Sequence, residues 1–132
     1  MADAKRDVAW VLGSMLATVV GFRTYLHGVD HNSDLFIAGY NVHHLFTGAI
    51  LAIAAAMMLA IGVATGLRRR AAQFALGAGA AMVLDEIVFL IVTDGSNDSY
   101  LTGPSWGGAV VSIAVAAVWI VFLGWRGRRQ AE

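Results

Sequence analysis

The chain has 132 residues, 58 % of them apolar and only 14 % charged, where a soluble globular domain carries roughly 25 % charged residues. Nine basic residues cancel nine acidic ones, mean hydropathy is +0.68, and cysteine is absent. This excludes disorder, a polybasic nucleic-acid binder, an ordinary soluble enzyme and any thiolate chemistry, and it points to lipid as the solvent.

Four segments are long and apolar enough to cross a hydrocarbon core about 30 Å thick: Val8–Leu26, Leu45–Leu67, Ala71–Thr93 and Trp106–Trp125. Backbone groups in lipid must pair internally, so all four are predicted helices of an all-α four-helix membrane bundle forming one domain. The first run is long and lacks a small-x-small cleavage site, so it reads as a retained span rather than a leader. Lys5 and Arg6 precede it, Arg68–Arg70 join the second span to the third, and Arg126, Arg128 and Arg129 follow the fourth. Eight of the nine basic residues therefore fall on one side, which predicts a cell-membrane protein with both termini cytoplasmic. The two opposite connections, His27–His44 and Asp94–Ser105, hold four aspartates and no Lys or Arg. Lys5, the single lysine, is terminal, which excludes a buried Schiff-base chromophore.

Small residues at helical spacing predict close helix contacts between neighbours joined in order, and offer faces for homo-oligomers. They run as Gly13, Ala17 and Gly21 on the first helix, and as Gly77, Ala81 and Asp85 on the third. On the second the stripe is His44, Gly48, Ala52, Ala56, Ala60 and Ala64. A gap-free shift of 64 residues lays Asp30, Asp34, Phe36, Ile37 and Gly39 on Asp94, Asp98, Tyr100, Leu101 and Gly103. Two duplicated helical hairpins would produce this match.

Polar residues inside spans mark the chemistry. Arg23 lies 16 residues past Asp7, and Asp85 lies 16 past Arg69, so Arg23 and the Asp85–Glu86 pair are predicted at one depth. An ion pair of Arg23 with one of the two follows, because a lone buried charge is costly and an Arg fork fits a carboxylate. All four histidines, His27, His31, His43 and His44, fall on the acidic side, with Asp30 beside the first two. His43, His44, Asp85 and Glu86 form the leading candidate metal set, with His27, His31 and Asp30 weaker members. Nitrogen and carboxylate ligands without sulfur suit zinc, iron or manganese. A straight hairpin turning at Arg69 leaves His44 and Asp85 about 13 Å apart along the axis, which opposes a shared site. The competing readings are histidines hydrogen-bonded to Asp94 or Asp98, and a proton relay. Only one facing pair, His27 and His44, suits haem, which makes haem a poor fit. Gly103-Pro-Ser-Trp-Gly107 matches the G-x-S-x-G pattern, but no strand precedes it, and Ser105 reads better as an N-cap than as a nucleophile. The arginine triplet is explained by topology and gives no sign of nucleic acid. Trp106, Trp119 and Trp125 read as interfacial anchors.

The run Gly39-Tyr-Asn-Val-His-His-Leu-Phe-Thr-Gly48, followed by Val83-Leu-Asp-Glu-Ile-Val-Phe-Leu90, Asp94 and Tyr100, resembles a family of small prokaryotic four-span integral membrane proteins. That family carries His-His-x-x-x-Gly and Leu-Asp-Glu elements and has no characterised function. The resemblance covers residues 34–105 and implies a fold, with His43, His44, Gly48, Asp85 and Glu86 on the shared pattern. Asn41 stands where such sequences often carry a third histidine, which weakens a three-histidine site.

The expected function is an integral membrane protein with an outward-facing polar pocket that binds a metal ion or relays protons. The alternatives are a metal-dependent membrane enzyme acting on a lipid or small substrate, and a structural subunit without ligand. Arg23→Ala is expected to lower the melting temperature more than Asp34→Ala, because only the former strands a buried carboxylate. Thermal unfolding of the two variants in detergent checks this.

Overall fold

The computed structural model describes residues 2–28, 36–37, 40–41 and 43–129. Four helices carry the chain: α1 (Ala2–Gly28), α2 (His44–Ala60), α3 (Gly66–Val92) and α4 (Gly103–Arg129). Between α1 and α2, β1 (Phe36–Ile37) and β2 (Tyr40–Asn41) form a two-residue antiparallel bridge. One turn of 3₁₀ helix, Asn97–Ser99, interrupts the link from α3 to α4. The predicted all-α bundle is what forms. Lys5–Gly28, Gly66–Val92 and Gly103–Gly127 are long and apolar enough to cross a membrane, whereas α2 is shorter at 17 residues.

The second predicted span, Leu45–Leu67, overshoots. Composition stays apolar past Ala60, but the helix ends there because Gly62 adopts φ +72, the left-handed conformation that stops a helix. The Ile61 N–H still reaches the Met57 carbonyl at 3.0 Å, and the Gly62 N–H reaches that of Leu59 at 3.3 Å. Gly66 is left-handed again at φ +52 and opens α3, five residues before the predicted Ala71. Arg68–Arg70 therefore ride on the start of α3 instead of making the turn.

Moving the turn from Arg69 to about Val63 re-registers the hairpin. His44 is 19 residues before Val63 and Asp85 is 22 after it, so their axial offset falls to about 4.5 Å at 1.5 Å per residue. The expected separation of about 13 Å was an error of turn position.

Helix α3 is the hub. It packs against all three others, α1 also meets α4, and among the described helices α2 packs closely on α3 alone. Chain neighbours α1 and α2 are thus not the tight antiparallel pair that order along the chain predicts. Glycine sets the tight approaches. A Cβ on Gly48 would lie 2.6 Å from the Met82 Cβ and 2.8 Å from the Gly79 carbonyl oxygen. One on Gly79 would lie 2.5 Å from the Gly48 oxygen. Across the other face of α3, Gly77 sits against the backbone of Val11 on α1.

The stripe on α3 faces inward as predicted, with Gly77, Ala81 and Asp85 all buried. That on α2 does so only at first and again past the end of the helix, at Ala64. Steps of four residues drift about 40° each on a 100° helix, so Ala56 and Ala60 turn outward while Ala55 takes the buried place. On α1 the expectation fails: Gly13, Ala17 and Gly21 are exposed, and among the described residues nothing comes within 4 Å of a Cβ on either glycine. The face that α1 buries is Ser14, Met15 and Arg23. Met15, Ala81 and Ile113 form the central apolar cluster, and Ala55, Ala64 and Ala72 a second one beside the α2–α3 turn.

The 64-residue shift carries the bounds of α1, 2 and 28, onto those of α3, 66 and 92. Leucine at Gly48 or Gly79 is expected to cost about 1–3 kcal/mol or prevent folding, whereas Gly13→Leu should stay within about 0.5 kcal/mol. Denaturation of the three variants in one detergent checks the contrast.

Candidate functional site

Arg23, on the penultimate turn of α1, has no exposed surface. Its Nε and one Nη lie 2.9 and 2.8 Å from the same oxygen of Asp85. The fork also donates to the Tyr100 carbonyl at 3.4 Å, and to the Ser105 carbonyl and hydroxyl at 3.3 and 3.1 Å. Tyr100 and Trp106 lie against the guanidinium, with ring centroids 4.8 and 4.5 Å from its central carbon. One side chain on α1 thus ties α3, the link after it and the start of α4. The second Asp85 oxygen accepts a hydrogen bond from the Tyr100 hydroxyl. Burial pushes the Tyr100 phenol up, and the Asp85 carboxylate beside it acts in the same direction, so the hydroxyl keeps its proton and stays a donor.

Glu86, next on α3, turns to α2. One of its oxygens lies 2.5 Å from Nδ1 of His43, and the other lies 3.0 Å from Nδ1 of His44. That second oxygen also accepts the Leu45 backbone N–H at 2.6 Å. The N-cap residue His43 offers no side-chain bond to its own helix, so the carboxylate of Glu86 caps α2 from another helix. His44 points its Nε2 at Asp85, 3.8 Å from the nearer oxygen and beyond hydrogen-bond reach. This nitrogen is buried and has no hydrogen-bond partner among the described residues. The rings of Phe22 and Tyr100 flank His44, at 5.3 and 5.8 Å between centroids. The gap bordered by Thr18, Phe22, His44 and Asp85 is too tight to admit water.

The structure therefore brings His43, His44, Asp85, Glu86 and Arg23 together. It splits the two carboxylates as adjacent helix positions require: Asp85 takes Arg23, and Glu86 takes the histidines. His27 is exposed near the end of α1, outside these contacts. Asp30, His31 and Asp34 lie outside the described residues. Asp94 does not partner the histidines. It accepts from the hydroxyl and N–H of Ser96, at 2.7 and 3.0 Å, and these bonds hold its carboxyl down to about 2.

Among the described residues no group of three His, Cys, Asp or Glu side chains is disposed to hold a metal ion. The reason is visible in the partners: both Glu86 oxygens are taken by imidazoles, and both Asp85 oxygens by Arg23 and Tyr100. A guanidinium at the centre also opposes a second cation. The expected zinc, iron or manganese site draws no support from this donor set. Haem draws none either: His27 is exposed at the end of α1, and Nε2 of His44 points at Asp85 across a gap too tight for water.

Sequence reasoning missed the roles of Tyr100, Ser105 and Trp106. Ser105 is not an N-cap: it is buried inside the first turn of α4, where its hydroxyl accepts from Arg23. Trp106 faces Arg23 as well as the bundle surface. The signal available was position, since all three lie where the opposite connection enters α4, level with the end of α1.

Searches against protein-family models, characterised proteins and solved structures return no match to this chain. Function must be argued from the site. Arg23→Ala is expected to cost about 3–5 kcal/mol, and Tyr100→Phe less, about 1–3 kcal/mol, because the first strands a buried charge and the second one hydrogen-bond acceptor. Paired thermal melts of the two variants check the ranking.

Proposed function

We propose that this chain is a small multi-pass membrane protein whose His43–Glu86–His44–Asp85 cluster takes up a proton from one side of the bilayer. The observation that carries the reading is the bare Nε2 of His44. With both imidazoles neutral, one guanidinium and two carboxylates leave the buried cluster at −1. Added at His44, a proton brings the sum to zero and turns an orphaned acceptor into a donor aimed at Asp85, 3.8 Å away. Imidazole is the side chain suited to this near neutral pH. In a dry site the gain from matching that charge is larger than in water.

His43 supplies the entry. Its ring is 36 % exposed and bonded to Glu86, which is bonded in turn to His44. The path runs inward no further than Asp85 and Tyr100. Beyond them lie Met15, Ala81 and Ile113, an apolar plug. This supports a one-sided proton site rather than a conduit across the membrane. A carboxylate that also caps α2 links the proton to the seating of that helix.

The excess of basic residues at the end that carries the termini supports a cytoplasmic position for that end by the positive-inside rule, with the cluster opening outward in the cell membrane. The resemblance to small prokaryotic four-span proteins agrees with this assignment. On this reading the polar residues are more than a structural clasp, and no catalytic role is needed for them.

Histidine-selective ¹⁵N labelling tests the proposal on purified protein. As the pH is lowered the His44 ring should pass from one protonated nitrogen to two. Asp85→Asn, which removes the waiting negative charge, should make that second proton harder to add. A His44 ring that holds one protonation state as the pH falls, or a second protonation indifferent to Asp85→Asn, would overturn it.

A further inference from the structure

At the opposite end of the bundle lies a crevice of about 340 Å³ that the proton site does not use. It exists because α2 is drawn backbone to backbone onto α3 through Gly48 and Gly79 and makes no comparable approach to α4. The last turn of α2 therefore stands off, and the gap stays open. Leu59, Leu76, Ile120 and Leu123 wall it, one or two from each side, and make it apolar along most of its surface. Polar groups gather in one place only. Arg69 and Asp7 are bonded there at 2.6 Å, and buried Gln73 adjoins them.

Charge at this end is lopsided. Among the described side chains at this end, Lys5, Arg6, Arg68–Arg70 and Arg126 are basic and Asp7 is acidic, six against one. Within the crevice Asp7 is matched by Arg69, so the surplus is carried by exposed neighbours such as Arg68, Arg70 and Arg126. An apolar slot with one polar end, where exposed Arg68 and Arg70 flank the lining Arg69 along α3 as a cationic rim, has the pattern of a phospholipid: an acyl chain for the slot and a phosphate for the rim.

We infer that this crevice binds one anionic phospholipid, with an acyl chain between α4 and the last turn of α2 and the phosphate at the Arg68–Arg70 rim. Zwitterionic lipid offers the same chain but no net charge to the rim, so preference between headgroups is the signature.

Native mass spectrometry of the detergent-purified full chain, given equal amounts of phosphatidylglycerol and phosphatidylcholine with identical chains, reads that preference. Phosphatidylglycerol should be retained at least about fivefold better. The Arg68→Gln/Arg70→Gln double variant should lose at least that factor, since each basic residue near an anionic headgroup is worth about fivefold. Leu123→Trp, at a half-exposed position, should fill the slot and reduce retention of both lipids without lowering the melting temperature. Inorganic phosphate in excess should not displace the lipid, because it lacks the chain. Equal retention of the two lipids, retention unchanged by Leu123→Trp, or a Leu123→Trp effect on dimer content alone would overturn the inference. These changes lie far from His43 and His44, so the result stands apart from the outcome of the proton experiment.

Discussion

A guanidinium with no access to water must be met on all its donors or not be there at all. Arg23 is met by Asp85 from α3, by the Tyr100 carbonyl from the link that follows, and by Ser105 from α4. Because the fork is planar and its donors fixed, satisfying it fixes the height and rotation of three helices at once. The fourth is held at second hand. Asp85 takes the arginine, so its neighbour on α3 points elsewhere, and Glu86 spends its two oxygens on the start of α2. Each of the four α-helices at this end of the bundle is positioned, directly or by one intermediary, from one side chain on α1.

Lipid gives helices little hydrophobic reason to associate, so the rest of the bundle relies on close backbone packing. The two devices occupy different levels of the molecule. Gly77 and Gly79 let α1 and α2 approach opposite faces of α3 below the polar cluster. Where glycine brings α2 in, α4 is left wider, and the crevice at the termini is the result. The polar knot, the glycine contacts and the crevice are thus linked through the central position of α3.

The sequence made the architecture legible because lipid restricts the choices. Twenty apolar residues in a row admit one local structure, and the arginines mark the ends. It also exposed the charged partners, since Arg23, Asp85 and Glu86 are the only ionised groups within the predicted spans. It misplaced the α2–α3 turn, because Ile61–Leu67 remains apolar and only the backbone angles of Gly62 and Gly66 break the helix. That slip alone made His44 look too distant from Asp85. The stripe on α1 misled for another reason. Spacing identifies a face of small residues without saying which way it turns, and the ion pair of Arg23 decided the rotation. Tyr100 and Ser105 were illegible as arginine ligands because two of their bonds come from backbone carbonyls, which any residue could supply.

The separation of Arg23 and Asp85 along the chain has a consequence in time. The two positions are 62 residues apart. At about 5–20 residues per second, a ribosome needs about 3–12 s to supply the partner after the arginine has emerged. Over that interval α1 carries a charge with no mate. Near the end of the helix such a side chain can extend to the headgroups, holding α1 shallower or more tilted than its final seat. Arrival of α3 would then draw it into place. On this account α1 enters the bilayer provisionally, and assembly is committed only when Asp85 has been made.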